Sequence, residues 1–149
     1  MQTEVFIPAQ SNLGTNYLGR HVLAEFFGCN SNILNNLELI EKLMVEAAQK
    51  CGATVVGKKF HVFNPYGVSG VVIISESHLA IHTWPEYGYA AIDLFTCGDS
   101  CDPLIAYEYL KQGFCSNHSS YSELKRGLIN SQTHEMVAAP FEVKGQMQE

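Results

Sequence analysis

Between residues 53 and 96 the chain strings extended segments together with gaps of only turn length, and this limits the folds open to it more than any other feature. Thr54-Val55-Val56, residues 60–63 (FHVF) and residues 68–75 (VSGVVIIS) read as strands set apart by Gly57 and a Pro65-Tyr66-Gly67 turn. Residues 79–83 (LAIHT) and 89–96 (YAAIDLFT) follow, divided by Trp84-Pro85-Glu86-Tyr87-Gly88. An earlier strand is predicted at 21–27 (HVLAEFF), stopped by Gly28. Asn30 and Ser31 offer N-cap oxygens to a helix whose apolar face is Ile33, Leu34, Leu37, Ile40, Met44, Ala47 and Ala48, ending at Gly52. A second helix opens at Asp102-Pro103 and runs through Leu104, Ile105, Tyr107, Leu110 and Phe114. Beyond Gly113 the polar run SNHSSYSELKRG reads as one edge strand with its outer face in water. Blocks of strands interrupted by two main helices predict an α+β fold, a two-layer sandwich with an antiparallel sheet and both helices on one face. The domain is expected over residues 18–129, with an N-terminal extension (1–17), partly disordered, and a C-terminal tail (130–149) of no clear period.

The chain's 149 residues suit one domain that folds without disulfides or metal. Only 16% of them are Asp, Glu, Lys or Arg, against roughly 25% in ordinary globular proteins, while 46% are apolar. So few charges leave apolar surface for another subunit to cover, and an oligomer is expected. A net charge of −6, with no basic cluster beyond Lys58-Lys59 and Lys125-Arg126, removes the electrostatic basis for nucleic-acid binding. Five cysteines and no secretory-type opening predict free thiols in a reducing cytoplasm. The longest aliphatic run, residues 71–74, is far short of the ~20 residues of a membrane span, so no membrane partner is expected.

Chemistry concentrates in residues 69–97, SGVVIISESHLAIHTWPEYGYAAIDLFTC. Blandly read, Ser75 and Ser77 are turn residues, His78 and His82 polar residues at a sheet end, and Cys97 a small buried hydrophobe. A zinc reading takes His78, His82, Cys97 and Cys101 as four ligands, but the C-x₂-C spacing of common structural sites is absent. A serine hydrolase reading lacks a G-x-S-x-G elbow.

The same stretch resembles a known family closely: the pyruvoyl-dependent S-adenosylmethionine decarboxylases of the short prokaryotic type. The likeness runs from Leu18-Gly19-Arg20-His21 to near Phe114 and is densest in FHVFNPYGVSGVVIISESHLAIHTWPEYGYAAIDLFTCG. The resemblance implies a carboxy-lyase made as a zymogen that cleaves itself at Glu76-Ser77, Ser77 Oγ attacking the Glu76 carbonyl to exchange amide for ester. His82 matches the histidine that removes the Ser77 α-proton, and an imidazole can serve as base near neutral pH. Ser69 matches the hydroxyl that supports the intermediate. Elimination and hydrolysis would turn Ser77 into a pyruvoyl cofactor, the electron sink that no side chain supplies, which takes the substrate amine as a Schiff base. Cys97 matches the proton donor to the substrate Cα. Phe63 and His82 match the pair that stacks the adenine, Glu86 the carboxylate on the ribose hydroxyls, and Trp84 lies beside them. The resemblance further implies a homodimer of cleaved protomers and a place in spermidine biosynthesis; no metal ligand is assigned among the site residues.

One geometric check stands against an easy picture. Ser77 and His82 are five residues apart, and an odd separation on a straight strand points side chains to opposite faces. If they share a site, the chain bends or bulges between Ser75 and Ala80. Two competing functions remain beside S-adenosylmethionine decarboxylation: pyruvoyl-dependent decarboxylation of ornithine or arginine, and an unprocessed homologue acting as a binding subunit.

Overall fold

The computed structural model describes residues 15–138 and 142–148, with side chains described for 16–138. Most of the expected N-terminal extension lies outside the described residues. The elements in order are β1 (Thr15–Phe27), α1 (Ser31–Leu34), α2 (Leu37–Lys50), β2 (Val55–Val62), β3 (Val68–Ile74), β4 (Ser77–Trp84), a 3-10 turn (Pro85–Tyr87), β5 (Tyr89–Cys97), α3 (Pro103–Gly113), β6 (His118–Asn130) and β7 (Glu142–Gln148). All seven strands form one sheet in the order β2-β3-β4-β5-β1-β6-β7, and every neighbouring pair is antiparallel. Among the described residues no helix is long and apolar enough to cross a membrane.

The predicted two-layer α+β arrangement is what forms. In β5 the residues Ala90, Ile92, Leu94 and Thr96 turn inward while their neighbours stay partly exposed, the period of two that buries one face of a sheet. Against that face α2 lays Ile40, Leu43, Met44, Ala47 and Ala48, and α3 lays Pro103, Ala106, Tyr107 and Leu110. Phe26 of β1 sits in the centre, with ring centroids 5.2 Å from Tyr107 and 6.1 Å from Phe114. The opposite face carries no helix and leaves Leu23, Phe27, Ile73 and Trp84 exposed.

Three local expectations are corrected. The first helix is two helices: Asn36 caps α2 by accepting the Leu39 N–H, and Asn35 turns aside to accept the Gly67 N–H at 3.1 Å. Gly57 does not separate two strands but lies inside β2 at a shift of register. The polar segment is not an edge strand. It is β6, paired with β1 on one side and β7 on the other. Its polar side chains tolerate this position because they have partners: Tyr107 donates to the buried Ser119 hydroxyl at 2.6 Å, and Arg20 joins Glu123 to Asp102. The sheet then continues into the 130–149 stretch, where β7 forms despite its lack of a clear period.

Candidate active site

The β3–β4 hairpin positions the site, and it does so at both of its ends. At its tip the turn Ser75-Glu76 leads into Ser77, which pairs with Ile74 on one side and Thr96 on the other. Leu79, Ile81 and Thr83 of β4 face the helices, so strict alternation would turn Ser77 the same way. Instead Ser77 has φ 140, a conformation that ordinarily belongs to glycine, and its hydroxyl approaches Cys97 Sγ at 3.9 Å. Cys97 is partly exposed and belongs to the helix-free face. Opposite it in β1 stands Gly19, where a Cβ would come within 2.6 Å of the Phe95 ring. Any larger residue there would push the ring out of its place beside Cys97. The Glu76 carboxylate accepts the Thr54 N–H at 3.2 Å, and this bond, with help from the Ser75 hydroxyl, holds it below the usual carboxylate range.

At the open end of the hairpin Ser69 faces His82 across the two strands, with Ser69 Oγ and His82 Nδ1 hydrogen-bonded at 2.7 Å. The ring of Trp84 lies 6.4 Å from His82 and stacks on Tyr89 at 5.2 Å. Phe63, just beyond β2, is exposed and packs edge-on against His61 at 4.7 Å. Glu86 is exposed in the 3-10 turn. Thr83 ties this end down: its hydroxyl donates to the Leu34 carbonyl at 2.8 Å and accepts the Val68 N–H at 2.9 Å. Burial pushes the Tyr89 hydroxyl up to about 12, with its bond to Glu25 adding to the shift.

The structure therefore gathers the eight candidate residues into two groups: Glu76, Ser77 and Cys97 at the tip, and Phe63, Ser69, His82, Trp84 and Glu86 at the open end. Five residues of strand separate the Ser77 and His82 positions in the hairpin, roughly 17 Å at ~3.4 Å per residue. β4 keeps an unbroken register on both neighbours from Ser77 to His82, with no bulge; the positive φ of Ser77 changes the side to which its side chain points and not the distance.

Between the two ends lies a group that sequence reasoning did not assemble. Phe95 is flanked by its register partners His21 and His78, stacking on His21 at 4.9 Å and meeting His78 edge-on at 5.7 Å. The Arg126 guanidinium lies over the same ring at 4.9 Å. His21 Nε2 is 3.6 Å from Asp93, and burial holds its imidazole below the usual histidine range. These residues come from β1, β4, β5 and β6, so no spacing within one segment marks them. The four residues of the zinc reading do not converge. His78 groups with His21 and Asp93, His82 bonds Ser69, Cys97 meets Ser77, and Cys101 is paired with Cys51.

A two-layer α+β protein with this strand order matches a solved structure, the adenosylmethionine decarboxylase from Aquifex aeolicus, with a TM-score of 0.74 and 30% identity over 80% of this chain and 98% of that one. The family model for S-adenosylmethionine decarboxylase matches residues 20–127. An S-adenosylmethionine decarboxylase proenzyme of Thermosipho melanesiensis is 63% identical over 74% of this chain and 85% of its own length. One from Acetivibrio thermocellus is 59% identical over 76% and 92%. The chain belongs to the S-adenosylmethionine decarboxylase family.

Proposed function

We propose that the chain is a proenzyme that cleaves itself between Glu76 and Ser77 and, once mature, removes carbon dioxide from S-adenosylmethionine to give the aminopropyl donor for spermidine synthesis. The observation that carries this reading is Ser77 itself, a non-glycine residue at φ 140 directly after the hairpin turn, with its hydroxyl against Cys97. A backbone held in this region stores on the order of 1–3 kcal/mol. Attack of Ser77 Oγ on the Glu76 carbonyl carbon breaks the peptide C–N bond, passes the nitrogen a proton and leaves an ester. The strained peptide is consumed in the step. His82, hydrogen-bonded to Ser69, is then the base for the Ser77 α-proton, and the Glu76 carboxylate departs as the leaving group.

The residues present fit a pyruvoyl group at position 77, because the residue whose Cα and Cβ would form it already has its side chain against the Cys97 thiol. That group supplies the electron sink that decarboxylation needs. Cys97 donates the proton to the substrate carbon, Phe63 and His82 hold the adenine, Trp84 lies beside them, and Glu86 accepts the ribose hydroxyls.

A separation of roughly 17 Å along the hairpin keeps His82 from the Ser77 of its own chain, and this supports a homodimer of cleaved protomers. Ser69, His82, Trp84 and Cys97 all belong to the helix-free face, which also exposes Leu23, Phe27 and Ile73. Two copies stacked by this face about a two-fold axis, with strands running oppositely, would set the tip of each hairpin on the open end of the other. Each site would then draw Ser77 and Cys97 from one protomer and Phe63, Ser69, His82 and Glu86 from its partner. We place the enzyme in the cytoplasm, where its thiols stay reduced.

Intact mass of the purified protein tests the reading. Two pieces are expected, residues 1–76 and a second beginning at residue 77 with a blocked end; a single uncut chain after prolonged incubation would overturn it. Carbon dioxide release from S-adenosylmethionine, against ornithine and arginine at equal concentration, tests the substrate. A site with an aromatic slot and a ribose-binding carboxylate should discriminate by as much as ~10⁴.

A further inference from the structure

Cys51 and Cys101 have no place in the chemistry above, yet their sulfurs lie 3.1 Å apart and both residues are 3% exposed. Cys51 caps the C-terminus of α2, and Cys101 stands just ahead of the Asp102 cap of α3. Backbone contacts hold the two segments together independently of the thiols. The Asp102 N–H donates to the Cys51 carbonyl at 3.0 Å, and Gly52 lies so close to the Ser100 carbonyl that a Cβ there would come within 2.3 Å of it. A disulfide requires two backbones held near each other with converging Cβ atoms, and little movement is needed here to close one.

We propose that Cys51 and Cys101 form an oxidation site that, in response to a peroxide, joins the two pieces of the processed enzyme by a disulfide. The link to processing follows from position: Cys51 lies before the Glu76-Ser77 bond and Cys101 after it, so the crosslink spans the cut. This part rests on the self-cleavage proposed above; formation of the disulfide does not. The step balances as two thiols and one hydrogen peroxide giving one disulfide and two waters. One thiolate sulfur attacks a peroxide oxygen and becomes a sulfenic acid, with water leaving. The second sulfur then displaces the sulfenic oxygen, which departs as the second water. The contact between the two sulfurs lowers the Cys51 thiol and raises that of Cys101, and either sulfur can make the first attack because the other lies within reach to resolve it. Gly98, Asp99 and Ser100, directly before Cys101, form an exposed turn. Of the other thiols, burial pushes Cys29 up to about 11, which keeps it unreactive.

The test treats the processed enzyme with hydrogen peroxide, blocks remaining thiols under denaturing conditions and runs it on a gel with and without reductant. The expected result is one band at full-chain size without reductant and two with it, and a linked Cys51–Cys101 peptide that has lost two hydrogens. Cys101→Ser should give two bands in both lanes. The same peptide mapping on the uncleaved Ser77→Ala precursor reads the disulfide without any cut, so failure of processing and failure of crosslinking are distinguished. Two bands without reductant while other cysteines are oxidised, or a crosslink that survives in Cys101→Ser, would overturn the proposal.

Discussion

Mixed dimers give the sharpest test of a site assembled from two chains. His82→Ala alone should leave its own Ser77 uncut past the ester stage, and Ser77→Ala alone has no hydroxyl to attack. Coexpressed, the two variants combine at random, and about half of the His82→Ala chains meet a Ser77→Ala partner if the dimer is isologous. In each such dimer one site is complete, with Ser77 on one chain and His82 on the other. Five residues of strand between Ser77 and His82 in one hairpin, roughly 17 Å, are several times the ~3 Å that proton transfer requires. No side-chain rotation closes that gap. The expected outcome is that about half of the His82→Ala chains mature with a pyruvoyl end, read by mass after separation on differently tagged chains. Absence of mature His82→Ala chains, in dimers shown to be mixed, would refute the two-chain site.

Other outcomes follow from single features. Ser77→Gly should be more stable than Ser77→Ala by about 1 kcal/mol or more, because φ 140 suits glycine; thermal melting should place its midpoint a few degrees higher, and neither variant should be cleaved. Cys97→Ala should still process, since ester formation does not use the thiol, but should release little carbon dioxide or inactivate during turnover, and wild-type turnover would remove Cys97 from the mechanism. Burial lowers the His21 imidazole in the folded state. The unfolded chain therefore takes up a proton near pH 6.5 that the folded one refuses, and stability should fall as pH drops below that value. Denaturant melts of His21→Gln across pH 7 to 5 should lose this part of the slope.

The local grammar of the fold was legible because it is carried by neighbouring residues. Asp102 caps α3 with Pro103 at its first turn, and Gly28 and Gly52 stand at positive φ where a strand and a helix end. The inward alternation of β5 can be read by eye. What escaped depends on partners distant in sequence. The amides of Asn35 and Asn36 break a continuous apolar helical face because one of them has Gly67 to bind. β6 lies inside the sheet because Tyr107 and Arg20 satisfy its polar groups, and Arg20 stands about a hundred residues before Glu123 in the chain. Family resemblance supplied the candidate residues of the site but not their distribution. Ser69 and Ser77 are eight apart in sequence, and only the register of β3 on β4 shows them at opposite ends of one hairpin.

That hairpin also sets an order of events. β3 and β4 pair while they are still one chain, so their ladder forms between near neighbours at small cost in loop entropy. A cut between Glu76 and Ser77 leaves the hydrogen bonds in place but abolishes the connection that made them local. The mature protein would then be easy to keep and hard to rebuild: once unfolded, its two pieces drift apart, and their reunion depends on concentration. Denatured precursor should refold as a single molecule, whereas denatured mature enzyme should recover more slowly as it is diluted. If the proposed cleavage occurs, the sheet is built once, as a precursor, and afterwards only preserved.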